Sequence, residues 1–421
     1  MDGARTTITN PVNGTSHTFE FDHSFWSHDP SGGGRGGPTH ASQETVFDEL
    51  GRDLLENAWA GYNVCLVAYG QTGSGKSYSM MGGGGGGGGD HAGVVPRAAR
   101  EIFDRMRGDD SARVEVTMIE IYNERVKDLL NAGGPPTNPF AENGGGGLKI
   151  RTHPTRGPYV EGLTPCAARD YDEVVRLMDR GEKARSVAST AMNATSSRAH
   201  TIVELRISRA DADGSEIRSK VSLVDLAGSE RSDATGATGA RLKEGAAINK
   251  SLSALGNCIS ALAEKGGGKK LVPYRDSALT LLLKESLGGN AKTVMIAALS
   301  PAAVNYEETL STLRYADRAR RIEGTATVNR VKKSVVAAAA SEAETLSDEL
   351  AADAEISPLK TGGPEEDDVA RLESALKARR EEEEEKRSSW AKKLKNTEEA
   401  TREVDWEKIR DEETRAAALA V

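Results

Sequence analysis

Between about residues 40 and 325, apolar and polar positions alternate in blocks. NVCLVAYG (63–70) is a continuous apolar run ending in glycine, the pattern of a strand buried on both faces. VEVTMIEIYNE (114–124) is rich in strand formers, and TIVELRISRA (201–210) alternates apolar with polar. KVSLVDLAG (220–228) and TVMIAALSP (293–301) read as further buried strands, the second stopped by Ser-Pro. Helical spacing fills the intervals: ETVFDELGRDLLENAW (44–59), VPRAAREIFDRMR (95–107), EVVRLMDRGEKAR (173–185), INKSLSALGNCISALAEK (248–265), ALTLLLKESL (278–287) and ETLSTLRYADRARRI (308–322). Buried strands separated by helices predict an α/β layered domain.

The pattern changes after Asn329. Residues 334–368 are rich in Ala and acidic residues and close on a Pro-Gly stop, which predicts an acidic linker. From Val369 onward the chain is highly charged and helix-permissive. Val369, Leu372 and Leu376 fit a coiled-coil seam that Arg379 and the run Glu381 to Glu385 interrupt, and Trp390 and Leu394 restart it. A charged helix or weak coiled coil over 369–421 follows, with self-association through 369–413 as its use; a solvated helix with no partner is the alternative.

Charge sharpens this division. Residues 1–340 carry 41 basic and 40 acidic side chains, whereas 341–421 carry 14 and 24, so the net charge of −9 belongs to the tail. This balance argues against a nucleic-acid coat. Cys65, Cys166 and Cys258 show no paired spacing, MDGARTTITN lacks a signal-peptide core, and no stretch approaches the ~18 apolar residues of a membrane span. A cytoplasmic protein without a membrane segment is expected. Glycine, 45 of 421 residues, exceeds the usual ~7% because of runs such as Gly82 to Gly89, which can hold neither helix nor strand.

One glycine cluster is chemical. Gly70-Gln71-Thr72-Gly73-Ser74-Gly75-Lys76-Ser77 matches G-x-x-x-x-G-K-[ST] and follows a predicted buried strand, the context a phosphate loop requires. Its amides can converge on phosphate oxygens, Lys76 can supply charge at the β/γ-phosphates, and Ser77 a hydroxyl for Mg²⁺. Asp225-Leu226-Ala227-Gly228 ends another predicted strand. There Asp225 can hold Mg²⁺ through water and the Gly228 amide can approach a γ-phosphate.

The residues between these motifs resemble one family. Asn193-Ala194-Thr195-Ser196-Ser197-Arg198-Ala199-His200 is similar to switch I of kinesins, and Val224-Asp225-Leu226-Ala227-Gly228-Ser229-Glu230 to their switch II. Leu242-Lys243-Glu244-Gly245, Ile248-Asn249-Lys250-Ser251-Leu252, Val272-Pro273-Tyr274-Arg275-Asp276-Ser277 and Ser286-Leu287-Gly288-Gly289-Asn290 follow in the family's order, over roughly residues 17–330. Phe21-Asp22-His23-Ser24-Phe25-Trp26 and Tyr306-Glu307-Glu308-Thr309-Leu310 look most like the kinesin-3 class of organelle transporters. Ser389-Trp390-Ala391-Lys392-Lys393-Leu394 resembles the helix that precedes a phosphopeptide-binding domain in that class, and the chain stops before any such domain.

The resemblance implies a P-loop NTPase with a mixed, mostly parallel central sheet flanked by helices. It implies a motor domain over 1–322, a neck linker over 323–333, and ATP and Mg²⁺ as cofactors. Gly70 to Ser77 would hold the phosphates and Tyr78 would stand on the adenine side. Ser77, Ser197 and Asp225 would form the Mg²⁺ shell, and Ser196 would place the attacking water. Arg198 would pair with Glu230, latching the two switches when γ-phosphate is present. The implied partner is the microtubule, met by Lys250, Lys265, Lys269, Lys270, Arg275 and Lys284. That places the chain in the cytoplasm on the cytoskeleton, moving toward the plus end, with its cargo unspecified.

Three departures from the family pattern stand out. Ala199 replaces the usual serine before His200. The family's first strand, bearing R-x-R-P, has no counterpart here, which predicts an unpaired sheet edge; an incomplete chain and an impaired motor both fit. Ile322 and Val328 match the neck linker's docking side chains and Asn329 its backbone latch, but without a cover strand docking is expected to lose its partner. Beside the ATP-driven motor stand two alternatives: a microtubule binder insensitive to nucleotide, and a GTPase. The GTPase needs N-K-x-D, and Asn249-Lys250-Ser251-Leu252 has leucine where Asp is required.

Overall fold

The computed structural model describes residues 1, 3–28, 39–83, 89–131, 147–153, 157–192, 196–230, 240–264 and 271–331. The chain separates into two units, Met1–Glu342 and Ala343–Val421. The expected acidic linker and charged helix, and Lys265, Lys269 and Lys270, lie outside the described residues.

An antiparallel hairpin of β1 (Arg5–Thr9) and β2 (Ser16–Glu20) opens the chain as a separate sheet. The predicted first helix forms as α1 (Gln43–Val46), a π-helical stretch Phe47–Gly51, and α2 (Arg52–Trp59). Ser42 starts it by accepting a hydrogen bond from the Thr45 amide at 3.1 Å. Next come β3 (Val64–Tyr69), α3 (Lys76–Met80) and α4 (Val94–Met106). β4 (Arg113–Tyr122) and β5 (Arg125–Asp128) are joined by Asn123 and Glu124, both at positive φ (51° and 61°), which suits a two-residue hairpin turn.

A second small hairpin pairs β6 (Ile150–His153) with β7 (Gly157–Val160). β8 (Cys166–Ala168) then leads into the long helix α5 (Tyr171–Met192). The domain is completed by β9 (His200–Ala210), β10 (Glu216–Asp225), α6 (Ala240–Ala263), α7 (Ala278–Leu282), β11 (Lys292–Ala297), α8 (Tyr306–Ala319) and the short β12 (Arg330–Val331).

The main sheet runs β11-β3-β10-β9-β4-β5, with β12 on β10 and β8 on β4. It is mixed, as expected, but its ladders are not mostly parallel. Only β11–β3 and β3–β10 pair in parallel, and the other five described pairs are antiparallel. Two of these follow from tight connections, Asp211–Ser215 between β9 and β10 and Asn123–Glu124 between β4 and β5, which force hairpins where a helical crossover would have given parallel strands. Among the described residues, the outer edge of β11 has no strand partner.

The run VCLVAY of β3 is buried throughout because helices cover both faces of the sheet. Val64, Leu66 and Ala68 join a core with Leu54, Leu55, Ala98, Ile102, Met118 and Val174, from α2, α4, β4 and α5. Cys65, Val67 and Tyr69 face the opposite core, with Leu255, Ile259, Leu279 and Tyr315 from α6, α7 and α8. Each such buried aliphatic side chain contributes about 1.5–3 kcal/mol. Tyr69 stacks on Tyr315 at 4.1 Å between ring centres, fixing α8 against the end of β3 where the glycine-rich loop begins.

Candidate nucleotide site and its two switch segments

The loop after β3 is shaped by its glycines. Gly70, at φ +150°, lies against the Ala298 carbonyl where any Cβ would collide. Gly75, at φ +103°, caps α3 in open space, so its need is conformational. Lys76 is only 6% exposed and its Nζ donates to the Gln71 carbonyl at 2.8 Å, an acceptor shared with Ser74 Oγ at 2.8 Å. Burial lowers the Lys76 pKa, and the Asp225 and Glu230 carboxylates oppose that shift.

Because β3 and β10 run parallel, with Asp225 in register with Ala68, both strands end at the same place. Ser77 Oγ donates to Asp225 Oδ2 at 2.5 Å, while Oδ1 is buried without a protein partner. Burial raises the Asp225 pKa against the Ser77 hydrogen bond and the charges of Lys76 and Arg185.

The switch-like segments meet here too. Ser196–Arg198 forms a 3₁₀ turn leading into β9, and the Ser197 carbonyl accepts from the Gly228 amide at 2.8 Å. Ser229 N–H donates to the Gly70 carbonyl at 3.1 Å. The Glu230 carboxylate accepts from the Thr72 amide at 2.8 Å and from the Thr72 hydroxyl. Glu230, the carboxylate expected to latch to Arg198 when γ-phosphate is present, thus has Thr72 as a partner in this structure. Thr72 offers that carboxylate two donors, and Gly228 has no Cβ to obstruct it, since one would strike both Thr72 Oγ1 and Glu230.

His200 closed the switch I motif in the sequence but received no role there. It is 2% exposed. Its Nδ1 accepts from the Ala227 amide at 3.0 Å and its Nε2 lies 2.8 Å from Ser251 Oγ, so one neutral imidazole joins β9, the segment after β10, and α6. Burial, with Lys76 adding to it, pushes its pKa down to about 3. Its place two residues after Arg198, at the end of the motif that holds Ser196 and Ser197, was the available signal. Tyr78 is 45% exposed, and its hydroxyl is 3.0 Å from His91 Nδ1.

On the helical face formed by α6 and α7, Lys250 and Arg275 are exposed and Lys284 is half-buried. Ser277 caps α7 through the Thr280 amide, so Arg275 and Lys284 bracket that short helix. Asn249 to Leu252 lies within α6, with Ser251 committed to His200, which leaves no guanine-reading loop at that position.

The segment after α8 docks, contrary to expectation. Val328 bridges to Tyr62, and the Asn329 amide and side-chain Nδ2 both donate to the Gly61 carbonyl at 2.9 Å. The Arg218 amide donates to the Asn329 carbonyl at 3.0 Å, and β12 then pairs with β10. Asn290 holds the segment from the side, donating to Asn329 Oδ1 at 3.1 Å and accepting from the Thr327 amide at 2.7 Å. Ile322 packs on the core that holds Leu255, Ile259 and Tyr315. Docking finds its partners in β10 and in the turn before β3.

Residues 2–322 match the family described as Kinesin motor domain. The chain is 52% identical over 338 residues to Kinesin-related protein 1 of Dictyostelium discoideum, covering 77% of this chain and 14% of that one. It is 50% identical over 344 residues to Kinesin-like protein unc-104 of Caenorhabditis elegans (78% and 21%), and 50% over 349 residues to Kinesin-like protein KIF1A of Rattus norvegicus (78% and 19%). It thus spans about a fifth or less of the length of these three relatives. Among solved structures it resembles KIF14 residues 391–772, a dimer with AMP-PNP on a microtubule, at a TM-score of 0.67 and 44% identity (78% of this chain, 89% of that one). It also resembles a fast kinesin at 0.66 and 38% (78% and 88%). Identity near one half over three quarters of the chain, joined to a family match over 2–322, shows that this chain belongs to the kinesin motor domain family.

Proposed function

We propose that the chain is the ATP-hydrolysing, microtubule-binding part of a plus-end-directed motor of the organelle-transport type, working in the cytoplasm on the cytoskeleton. One observation carries this reading: the phosphate loop, the Ser197 turn and the Gly228–Glu230 segment are joined by direct hydrogen bonds, and His200 ties that cluster to α6. A change at the phosphates therefore has a covalent and hydrogen-bonded route to the helix that carries Lys250.

In this reading the Gly70–Ser77 amides and Lys76 bind the phosphates, and Tyr78 flanks the adenine. Ser196 places the attacking water and Arg198 is the partner to which Glu230 transfers from Thr72 as the switches close. A bidentate Arg–carboxylate pair suits a latch because its two hydrogen bonds demand one relative orientation. The site's donors suit Mg²⁺: the Asp225 carboxylate has one oxygen on Ser77 and the other buried and unpartnered. Ser77, Ser197 and Asp225 would hold the ion. When bound, Mg²⁺ neutralises phosphate charge.

Residues 1–322 act as the motor domain and 323–333 as its neck linker, followed by an acidic linker over 334–368 and a self-associating charged helix over 369–421. Lys250, Lys265, Lys269, Lys270, Arg275 and Lys284 meet the acidic track, mainly raising the encounter rate. ATP hydrolysis should rise strongly with added microtubules. A rate flat across microtubule concentration would refute the proposal. Among the described residues the outer edge of β11 has no strand partner, which favours a second reading, a track binder with impaired turnover. Cosedimentation with microtubules in ATP, ADP and a non-hydrolysable analogue separates the two, since only a working switch makes affinity depend on nucleotide.

A further inference from the structure

An ion-pair cluster at the far end of β10 has no part in the phosphate chemistry. The turn between β9 and β10 is rigidly tied. Asp211 N–H donates to the Ser215 carbonyl at 2.7 Å, Gly214 N–H to the Asp211 carbonyl at 2.9 Å, and the Ser215 amide and hydroxyl to Asp213 Oδ1 at 2.8 and 2.5 Å. Gly214 has the positive φ (+77°) the turn needs, and Ser215 is buried. This leaves Asp211 Oδ2 and Asp213 Oδ2 beside the end of the docked segment. Arg330 reaches both, Nη2 at 2.6 Å from Asp211 and Nη1 at 3.4 Å from Asp213. The Ser215 hydroxyl and amide, with Arg330 adding to them, hold the Asp213 carboxyl below its usual range.

β12 is only two residues long, with Ile217 facing Arg330 and Glu216 facing Val331. A pair so short is marginal by its own hydrogen bonds. We propose that Arg330 and the Asp211–Asp213 turn form an electrostatic clamp that sets how much of the time the segment after Ile322 is docked. The proposal rests on the reading of that segment as a neck linker. Arg330 is a positioning residue: it touches no nucleotide group and acts through the register of Val328 and Asn329. Its planar fork can bridge two carboxylates at once, which a lysine ammonium does less specifically. With Arg330 51% exposed, Asp213 57% and Asp211 22%, the clamp is graded by salt and does not lock.

A spin label introduced by Val331→Cys, in β12 beside Arg330, reads docking directly. Cys65 and Cys258 are buried, so only the half-buried Cys166→Ser change is needed to clear the background. In the full chain, Arg330→Ala should raise the mobile-to-immobile ratio about two- to fivefold, the range of an exposed ion pair, and Arg330→Glu should raise it further. Combining Arg330→Asp with Asp211→Arg and Asp213→Arg should restore ordering, a rescue that a role in strand packing alone would not produce. The immobile fraction of the wild-type chain should fall as salt rises, and that of Arg330→Ala should not. An unchanged ratio in Arg330→Glu, or failure of the swap with basal ATPase intact, would overturn the clamp. Microtubule-stimulated ATPase is measured on the same samples; its absence in the wild-type chain sinks the motor reading and leaves the spin-label result to decide the clamp.

Discussion

The phosphate loop and the docked segment lie at opposite ends of the same two strands, yet different forces hold them. The loop follows the last residue of β3 and meets the end of β10, whereas Val328 to Val331 crosses the turn before β3 and the start of β10. At the loop end Lys76, Asp225 and His200 are buried, and their hydrogen bonds are short, fixed in direction and shielded from water. At the other end Val328 and Arg330 are exposed, and the bonds are a few backbone pairs, one asparagine pair and two ion pairs. The lesson is a division of stability. The end with the phosphate loop is held by buried, directed bonds, while the docked end rests on exposed, solvent-screened ones.

The largest test of that contrast is Lys76→Ala. Removing a buried charged contact from the phosphate site should cost about 3–4 kcal/mol of transition-state stabilisation, a hundred- to thousandfold in turnover, with the docked segment unaffected. Wild-type ATPase by this variant would remove the loop from the chemistry.

Acid should next strike the buried end first. The folded pKa of His200 is about 3 and its unfolded value near 6.5, so the unfolded chain takes up a proton that the native chain refuses. Its stabilising effect is complete above about pH 6.5 and is lost as pH falls from there toward 3, at up to ~1.4 kcal/mol per pH unit. Urea midpoints measured between neutral pH and pH 5 should fall accordingly, and His200→Gln should flatten the slope. A slope unchanged in that variant would assign the acid sensitivity elsewhere.

The smallest effect belongs to the docked end. Gly61 is at φ +98°, and a Cβ there would meet Ile217 Cγ2 at 2.8 Å and Val328 Cγ1 at 2.9 Å. Gly61→Ala should add about 1–2 kcal/mol of backbone strain and displace Val328, lowering gliding velocity while basal ATPase persists. Equal loss of both activities would mean that the two ends are not separable.

Much of the loop end was legible beforehand. G-x-x-x-x-G-K-S after an apolar run is a local pattern, and both the strand and the left-handed glycines it required are present. Strands 64–69, 113–122, 200–210, 216–225 and 292–297 fall within a few residues of the apolar runs, because burial on both sheet faces leaves a plain mark. The β1–β2 and β6–β7 hairpins left no such mark, since their strands are largely exposed or half-buried and their composition is polar. The docking of the segment after Ile322 left no mark for a related reason. Its partners, Gly61 and Arg218, are more than a hundred residues upstream, and nothing in TATVNRV indicates where they are.

Sequence by itself determined the glycine-rich loop after β3, the alternation of buried strand and helix, and the family, because each is encoded in residue types at short, fixed spacing. Only the tertiary structure decided that β9 folds back on β10, that Glu230 rests on Thr72, that His200 joins three elements, and that the final segment finds a sheet edge and two carboxylates. The physical reason is separation along the chain. Thr72 and Glu230 are 158 residues apart and Arg330 and Asp213 117 apart, so these bonds depend on where the packed cores place each backbone, which no local pattern of side chains records.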